Sequence, residues 1–118
     1  MTTANQIYLM KRLEERYGSV GKVAGRYLAA GLSVEFMHPT RYGPIHIVVR
    51  GNNSVFAIDV FDKPGKLSID DVKTLIEKAR LIKAKPILFL YSSAAKVDDD
   101  VYKFCIENGV KIKMLKKE

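Results

Sequence analysis

The stretch Ile87-Leu88-Phe89-Leu90-Tyr91, entered through Pro86, constrains this chain more than any other part of it. Five successive residues without a charge cannot lie on a sheet that has one wet face, so the run is a central strand covered on both sides. A strand of that kind is reached by a crossover, and the preceding segment supplies one. Ser68, with Asp71 three residues on, makes a capping-box-like helix start with Asp in place of the usual Glu or Gln. Val72, Leu75, Ile76, Ala79, Leu81 and Ile82 then give a broad apolar helical face. After the strand, Asp98 to Glu107 has the spacing of a further helix, with Val101, Tyr102, Cys105 and Ile106 inward and Asn108-Gly109 as its stop. Val110, Ile112 and Met114 alternate with Lys111 and Lys113 in a last strand, and Lys116-Lys117-Glu118 frays into solvent. Strands joined through helices pair in parallel.

The first half reads differently. Ala4 to Tyr17 places Ile7, Met10, Leu13 and Tyr17 at helical spacing and ends at Gly18. Ser19 then stands where a helix N-cap is needed, ahead of Val20, Val23, Ala24, Tyr27 and Leu28, with Gly31 as the left-handed stop. Lys22 and Arg26 share the exposed side of that helix. Leu32 to Met37 has strand composition, and His38 to Gly43 is a loop carrying Pro39, Arg41 and Tyr42. Ile45 to Arg50 alternates, Gly51-Asn52-Asn53 signals a turn, and Val55 to Phe61 resumes as a strand. The three strands make an antiparallel meander. Joined to the β-α-β-α-β second half, they give an α/β domain over residues 1–118 whose mixed sheet is flanked by helices.

A chain of 118 residues has enough apolar sequence, 47%, for one core and too little length for two ordinary domains. Lys and Arg number 20 against 13 Asp and Glu, a formal net charge of +7 that favours a polyanionic partner. No apolar stretch is long enough for a membrane span, and the first residues carry charges where a signal peptide needs its apolar centre, so the expected compartment is the cytoplasm. Cys105 is alone and reads as a small core residue. A single Gln, no Trp and many Lys lean in the direction of heat-adapted proteins. There is no glycine-rich phosphate loop, no Cys/His zinc spacing and no nucleophile elbow; Gly18-x-x-Gly21 and Gly21-x-x-x-Gly25 are too generic to carry chemistry.

The hairpin is where chemistry concentrates. With the turn centred on Asn52, facing residue numbers sum to about 104, which brings His46 near Ile58 and Asp59. Asp59 and Phe61, two apart, share a face, so a polar pair, His46 and Asp59, stands beside Phe61.

Gly43-Pro44-Ile45-His46-Ile47-Val48-Val49, the turn, and Ala57-Ile58-Asp59-Val60-Phe61 together resemble the core of the PD-(D/E)xK superfamily, which includes restriction-type nucleases and archaeal Holliday-junction resolvases. The resemblance extends over nearly the whole chain in element order and implies a restriction endonuclease-like αβββαβ core. In that family the first strand carries an Asp, the second a Glu or Asp followed two residues later by Lys, and an N-terminal helix often adds a Glu. Two carboxylates hold Mg²⁺ against the scissile phosphate while the lysine positions or activates water. Here His46 stands at the Asp position, Asp59 matches the D/E position and Phe61 stands at the Lys position. No Glu occurs around Val20 and Gly21; Glu14 and Glu15 lie earlier.

One of three signature residues is kept, so the resemblance implies a degenerate site in which Asp59 is the single metal ligand and no resident cofactor is expected. Two lysines could restore the site: Lys63, two residues beyond Phe61, and Lys73 on the next helix, a place from which some nucleases of the superfamily supply theirs. The basic residues around the meander, Arg41, Tyr42 and Arg50, and those in the following loop, Lys63 and Lys66, are the expected phosphate contacts. Lys111 and Lys113 also suit protection of an exposed edge strand. The expectation is a nucleic-acid-binding or accessory protein, with DNA as its partner and no cleavage. A homodimer is implied by resemblance alone. The rivals are an active Mg²⁺-dependent DNA endonuclease, Holliday-junction resolvase-like, using Asp59 with a migrated lysine, and a structural assembly subunit.

Overall fold

Two asparagines set the centre of the sheet. Asn52 and Asn53 both have positive φ, 54° and 61°, the backbone of a type I′ turn, whose twist matches that of the strands it joins. Strand β2 (Ile45–Gly51) therefore folds directly onto β3 (Ser54–Phe61), pairing Gly51 with Ser54 and Ile47 with Ile58. The turn centre falls between the two asparagines rather than on Asn52, so facing numbers sum to one more than the sequence suggested, and His46 comes opposite Asp59.

The computed structural model describes residues 4–62, 65–91 and 95–114. Its remaining elements are α1 (Ala4–Tyr17), α2 (Ser19–Ala29), β1 (Ser33–His38), β4 (Gly65–Lys66), α3 (Ile69–Leu81), β5 (Lys85–Leu90), β6 (Ala95–Lys96), α4 (Asp99–Glu107) and β7 (Lys111–Met114). The main sheet has the order β1-β2-β3-β5-β7, antiparallel through the meander and parallel from β3 onward. The run that began the sequence argument is thus an interior strand between two parallel neighbours. A second, two-stranded sheet pairs β4 with β6 in parallel, a feature no local pattern announced.

Strand alternation divides the core into two layers. Val48, Ala57, Leu88 and Leu90 face α3 and α4, meeting Val72, Leu75, Ala79, Val101 and Cys105. Ile47, Val49, Ile58, Val60, Ile87 and Phe89 face α2, meeting Val20, Val23 and Ala24. Burial pushes the Cys105 thiol up from its ordinary pKa, which leaves it an inert core group.

Helix α3 starts as its sequence says: Asp71 N–H donates to Ser68 Oγ and Ser68 N–H donates to Asp71 Oδ2, both at 3.1 Å. Helix α2 does not. Its N-cap is Gly18, at φ 63°, and Ser19 lies inside the helix with its side chain turned elsewhere. The reason is the tight α1–α2 corner, where one left-handed residue makes the whole connection and glycine adopts that conformation without strain. Gly21 then lies against α1 so closely that a Cβ there would run into the Leu13 carbonyl. The small-residue spacing that carried no chemistry is a helix-packing surface. On α4, Tyr102 and Ile106 are 52% and 64% exposed rather than inward, because the buried side of the helix is the one that carries Val101 and Cys105.

Candidate functional site at the open end of the hairpin

The β2–β3 pairing stops at Ile47 and Ile58, and beyond it side chains take over from the backbone. His46 N–H donates to Asp59 Oδ1 at 3.1 Å, and Val60 N–H donates to His46 Nδ1 at 2.9 Å. Each side chain satisfies an amide on the opposite strand that would otherwise be buried without a partner. The separation of 3.9 Å between His46 Nδ1 and Asp59 Oδ1 is not a bond, because that nitrogen is already an acceptor. A neutral His46 ring consequently carries its proton on Nε2.

The remaining oxygen of Asp59 meets a lysine that the sequence reading did not single out. Lys78 Nζ donates to Asp59 Oδ2 at 2.6 Å and to the Pro44 carbonyl at 2.9 Å. Its side chain is only 8% exposed and that of Asp59 16%. An ammonium taken so far out of water is tolerated only when paired and hydrogen-bonded, and here it is both. One helix of the crossover is thereby fastened to the central hairpin and to the loop ahead of β2. The signal for Lys78 was present in sequence: three residues after Leu75, it falls on the apolar face of α3, where a charged side chain must find a partner.

These groups line a cleft of about 420 Å³ that also takes in Phe61, Asp62, Asp71 and Thr74. Its carboxylates are occupied by hydrogen bonds. Ser19 Oγ donates to Asp62 Oδ2 at 2.7 Å, which is where the serine's capping capacity has gone. Asp71 closes the capping box. Among the described residues no group of three His, Cys, Asp or Glu side chains stands close enough to share an ion. Asp59 is neutralised by Lys78, and a neutral His46 offers a proton rather than a lone pair to the cleft. The arrangement does not fit a hard divalent cation, which needs oxygen ligands in number.

The other residues singled out in the sequence are dispersed. Lys73 is exposed on α3, its Nζ 6.0 Å from the centre of the Phe104 ring, so it points toward α4 and not toward Asp59. Five residues separate it from Lys78, enough to put the two on different sides of the helix. Lys63 lies outside the described residues, as do Lys116 and Lys117. Glu14 and Glu15 are exposed on α1 and neither lines the cleft. Arg41 stacks over the exposed Tyr42 at 5.2 Å in the loop after β1. Lys66 is exposed, with its Nζ 3.6 Å from Asp98, a pair worth little at the surface. Arg50 is four residues up β2 from His46, about 13 Å along the strand, and its guanidinium is held by Glu35 at 3.0 Å. Glu35 also accepts from His38 Nδ1 at 2.6 Å, and these two bonds, His38 first, hold its carboxyl below the usual glutamate pKa.

The architecture has solved counterparts. A repair endonuclease from Pyrococcus abyssi superposes with a TM-score of 0.62 at 13% identity, over 94% of this chain and 47% of that one. The fold is restriction endonuclease-like. Pyrococcus furiosus SfsA, solved in complex with Ca²⁺, superposes with a TM-score of 0.61 at 13% identity, over 90% of this chain and 57% of that one. The chain thus spans about half the length of these neighbours. No family model and no curated sequence matches it. No helix among the described residues is long and apolar enough to cross a membrane.

Proposed function

We propose that this chain is a nucleic-acid-binding or accessory protein that keeps a nuclease-like fold without metal-dependent cleavage. The observation that carries the reading is the Asp59–Lys78 ion pair: the one carboxylate at a signature position is committed to a lysine and to the His46 amide. Phe61 beside it has no proton to move. The likeness to a repair endonuclease and the net charge of +7 support nucleic acid as the partner, with DNA preferred.

Phosphate contact is assigned to Arg41, Tyr42 and Lys66, which stand exposed at the open end of the hairpin, and, on its sequence position alone, to Lys63. Arg50 contributes less, because Glu35 already holds it. One domain is the natural unit, since one main sheet organises both core layers. We also place the protein in the cytoplasm as a homodimer, for which the exposed Tyr102 and Ile106 on α4 provide apolar surface.

Lys78 gives the enzyme reading its specific support, because it sets a lysine against Asp59 from the helix when the strand position holds Phe61. One series separates the readings: junction, duplex and single-stranded DNA incubated with and without Mg²⁺ or Mn²⁺, then resolved for both shift and cleavage. A shift that needs no metal, with no product over the time course, is the expected result. Cleavage that disappears in a folded Asp59→Asn variant overturns it in favour of a nuclease. No shift on any probe leaves the assembly subunit.

A further inference from the structure

A second surface lies across the sheet from the Asp59 cleft, on the face toward α2. There the register sets Phe56 beside Lys85, Ile87 beside Lys111 and Phe89 beside Lys113. Helix α2 covers only part of this face. Between its C-terminal end and the β7 edge run two adjoining hollows of about 520 and 390 Å³, which share Tyr27 and Lys113 in their walls. Both are of the size that accommodates small ligands. Arg26 lines one, Lys85 and Lys111 the other, and among the described residues no carboxylate lines either. The Lys113 ammonium lies 5.9 Å from the Phe89 ring centre and that of Lys85 5.9 Å from Phe56, so cations are spread directly over aromatic surface. Tyr27 meets Phe89 edge-on at 6.3 Å, and its buried hydroxyl has no hydrogen-bond partner among the described residues.

Protection of the β7 edge accounts for Lys111 and Lys113 only. It does not account for Lys85 on an interior strand, Arg26 on a helix, or the lack of an acid and of a partner for the Tyr27 hydroxyl among the described residues. A second copy of the chain fits poorly as the occupant, because it would bring its own cations against these. The Asp59 cleft, by contrast, holds three carboxylates beside Lys78, which disfavours a phosphate there.

We infer that this groove binds single-stranded nucleic acid, with Arg26, Lys85, Lys111 and Lys113 against the phosphates and an unpaired base on the Phe56–Tyr27 wall. The inference rests on the nucleic-acid reading above and adds a site to it on the opposite face. Only an unpaired base can present its flat face to such a wall, while a duplex reaches the lysines alone.

Fluorescence anisotropy with labelled single-stranded and duplex DNA, over a salt series, tests it with three variants: Lys85→Ala/Lys113→Ala, Phe56→Ala and Arg41→Ala/Lys66→Ala. The lysine pair variant is expected to flatten the single-strand salt slope by about 1.4 in log–log terms. Phe56→Ala is expected to weaken single-strand binding roughly tenfold, with little change on duplex. Because Phe56 is half-buried, a 5-iodouracil strand photo-crosslinked to the unmodified protein provides a second reading, with adducts expected on Tyr27 or Phe56. Parent binding that the groove variants leave unchanged, with crosslinks confined to Tyr42, overturns the groove and spares the broader function. A parent that binds no probe removes both. A dimer that the lysine pair variant dissociates makes a second copy the occupant and overturns the inference.

Discussion

Lys78 Nζ on α3 lies 2.6 Å from Asp59 Oδ2 on β3, joining residues 19 apart in the chain where both side chains are largely out of water. The pair serves stability first. Removing one partner of a buried pair leaves the other as an uncompensated charge, which costs about 3–5 kcal/mol. Asp59→Ala is therefore expected to lower the melting temperature on the order of 10–20 °C. Asp59→Leu with Lys78→Met, which removes both charges and keeps apolar volume, should recover most of that loss. Denaturant melts of the single and double variants check this, and a double variant as weak as Asp59→Ala would count against the pair.

The exposed basic residues at the open end of the hairpin make a different prediction. If Arg41 and Lys66 contact duplex phosphates, each releases condensed counterions, so Arg41→Ala/Lys66→Ala should flatten the salt dependence by about 0.9 per lost contact. The loss should be similar on every duplex sequence, since phosphates carry no base information. Binding titrations at several salt concentrations measure both. A slope equal to the parent's would remove these two residues from the interface.

At the α1–α2 corner the two glycines of Gly21-x-x-x-Gly25 should respond differently to a methyl group. On Gly21 it meets the Leu13 backbone, which cannot move without shifting a helix, so Gly21→Ala should cost about 1–3 kcal/mol. On Gly25 it meets the Met10 side chain, 3.0 Å away at Cγ, which can adjust. The better helix propensity of alanine, roughly 1 kcal/mol over glycine, then makes Gly25→Ala close to neutral or stabilising. Chemical denaturation of both variants decides, and equal stabilities would mean that α1 does not pack on α2 in this way.

Glu35 gives the molecule a dependence on acid. Hydrogen bonds from His38 and then Arg50 lower its carboxyl pKa in the folded state. Its contribution is complete above the unfolded glutamate value, about 4.3, and disappears as pH falls through the lower folded value. Glu35→Gln should thus narrow the stability difference from the parent as pH is taken from 6 down to about 3. Thermal melts across that range test it, and a difference that stays constant would show that Glu35 does not titrate with folding.

The local pattern of the chain was enough for much of the fold. The charge-free run at Ile87–Tyr91 required an interior strand, Ser68 and Asp71 wrote the start of α3, and Asn52-Asn53 wrote the hairpin turn. From that turn alone, with a slip of one residue, His46 was brought opposite Asp59. Periods of two and 3.6 residues and left-handed turns are properties of neighbouring residues, so they survive in the sequence.

What the side chains do with one another was decided only in three dimensions. Asp59 faces Lys78 instead of Lys73 because packing of Val72, Leu75 and Ala79 fixes which side of α3 meets the sheet. Ser19 had the chemistry of a cap, yet Gly18 turns the corner and frees its hydroxyl for Asp62, 43 residues away. Arg50 had the charge for a phosphate, yet the antiparallel register of β1 and β2 leaves it within reach of Glu35. Each of these partnerships joins segments whose separation along the chain says nothing of their distance. The chain's own pattern determined which elements form, and the close packing of those elements decided which polar groups had to find one another out of water.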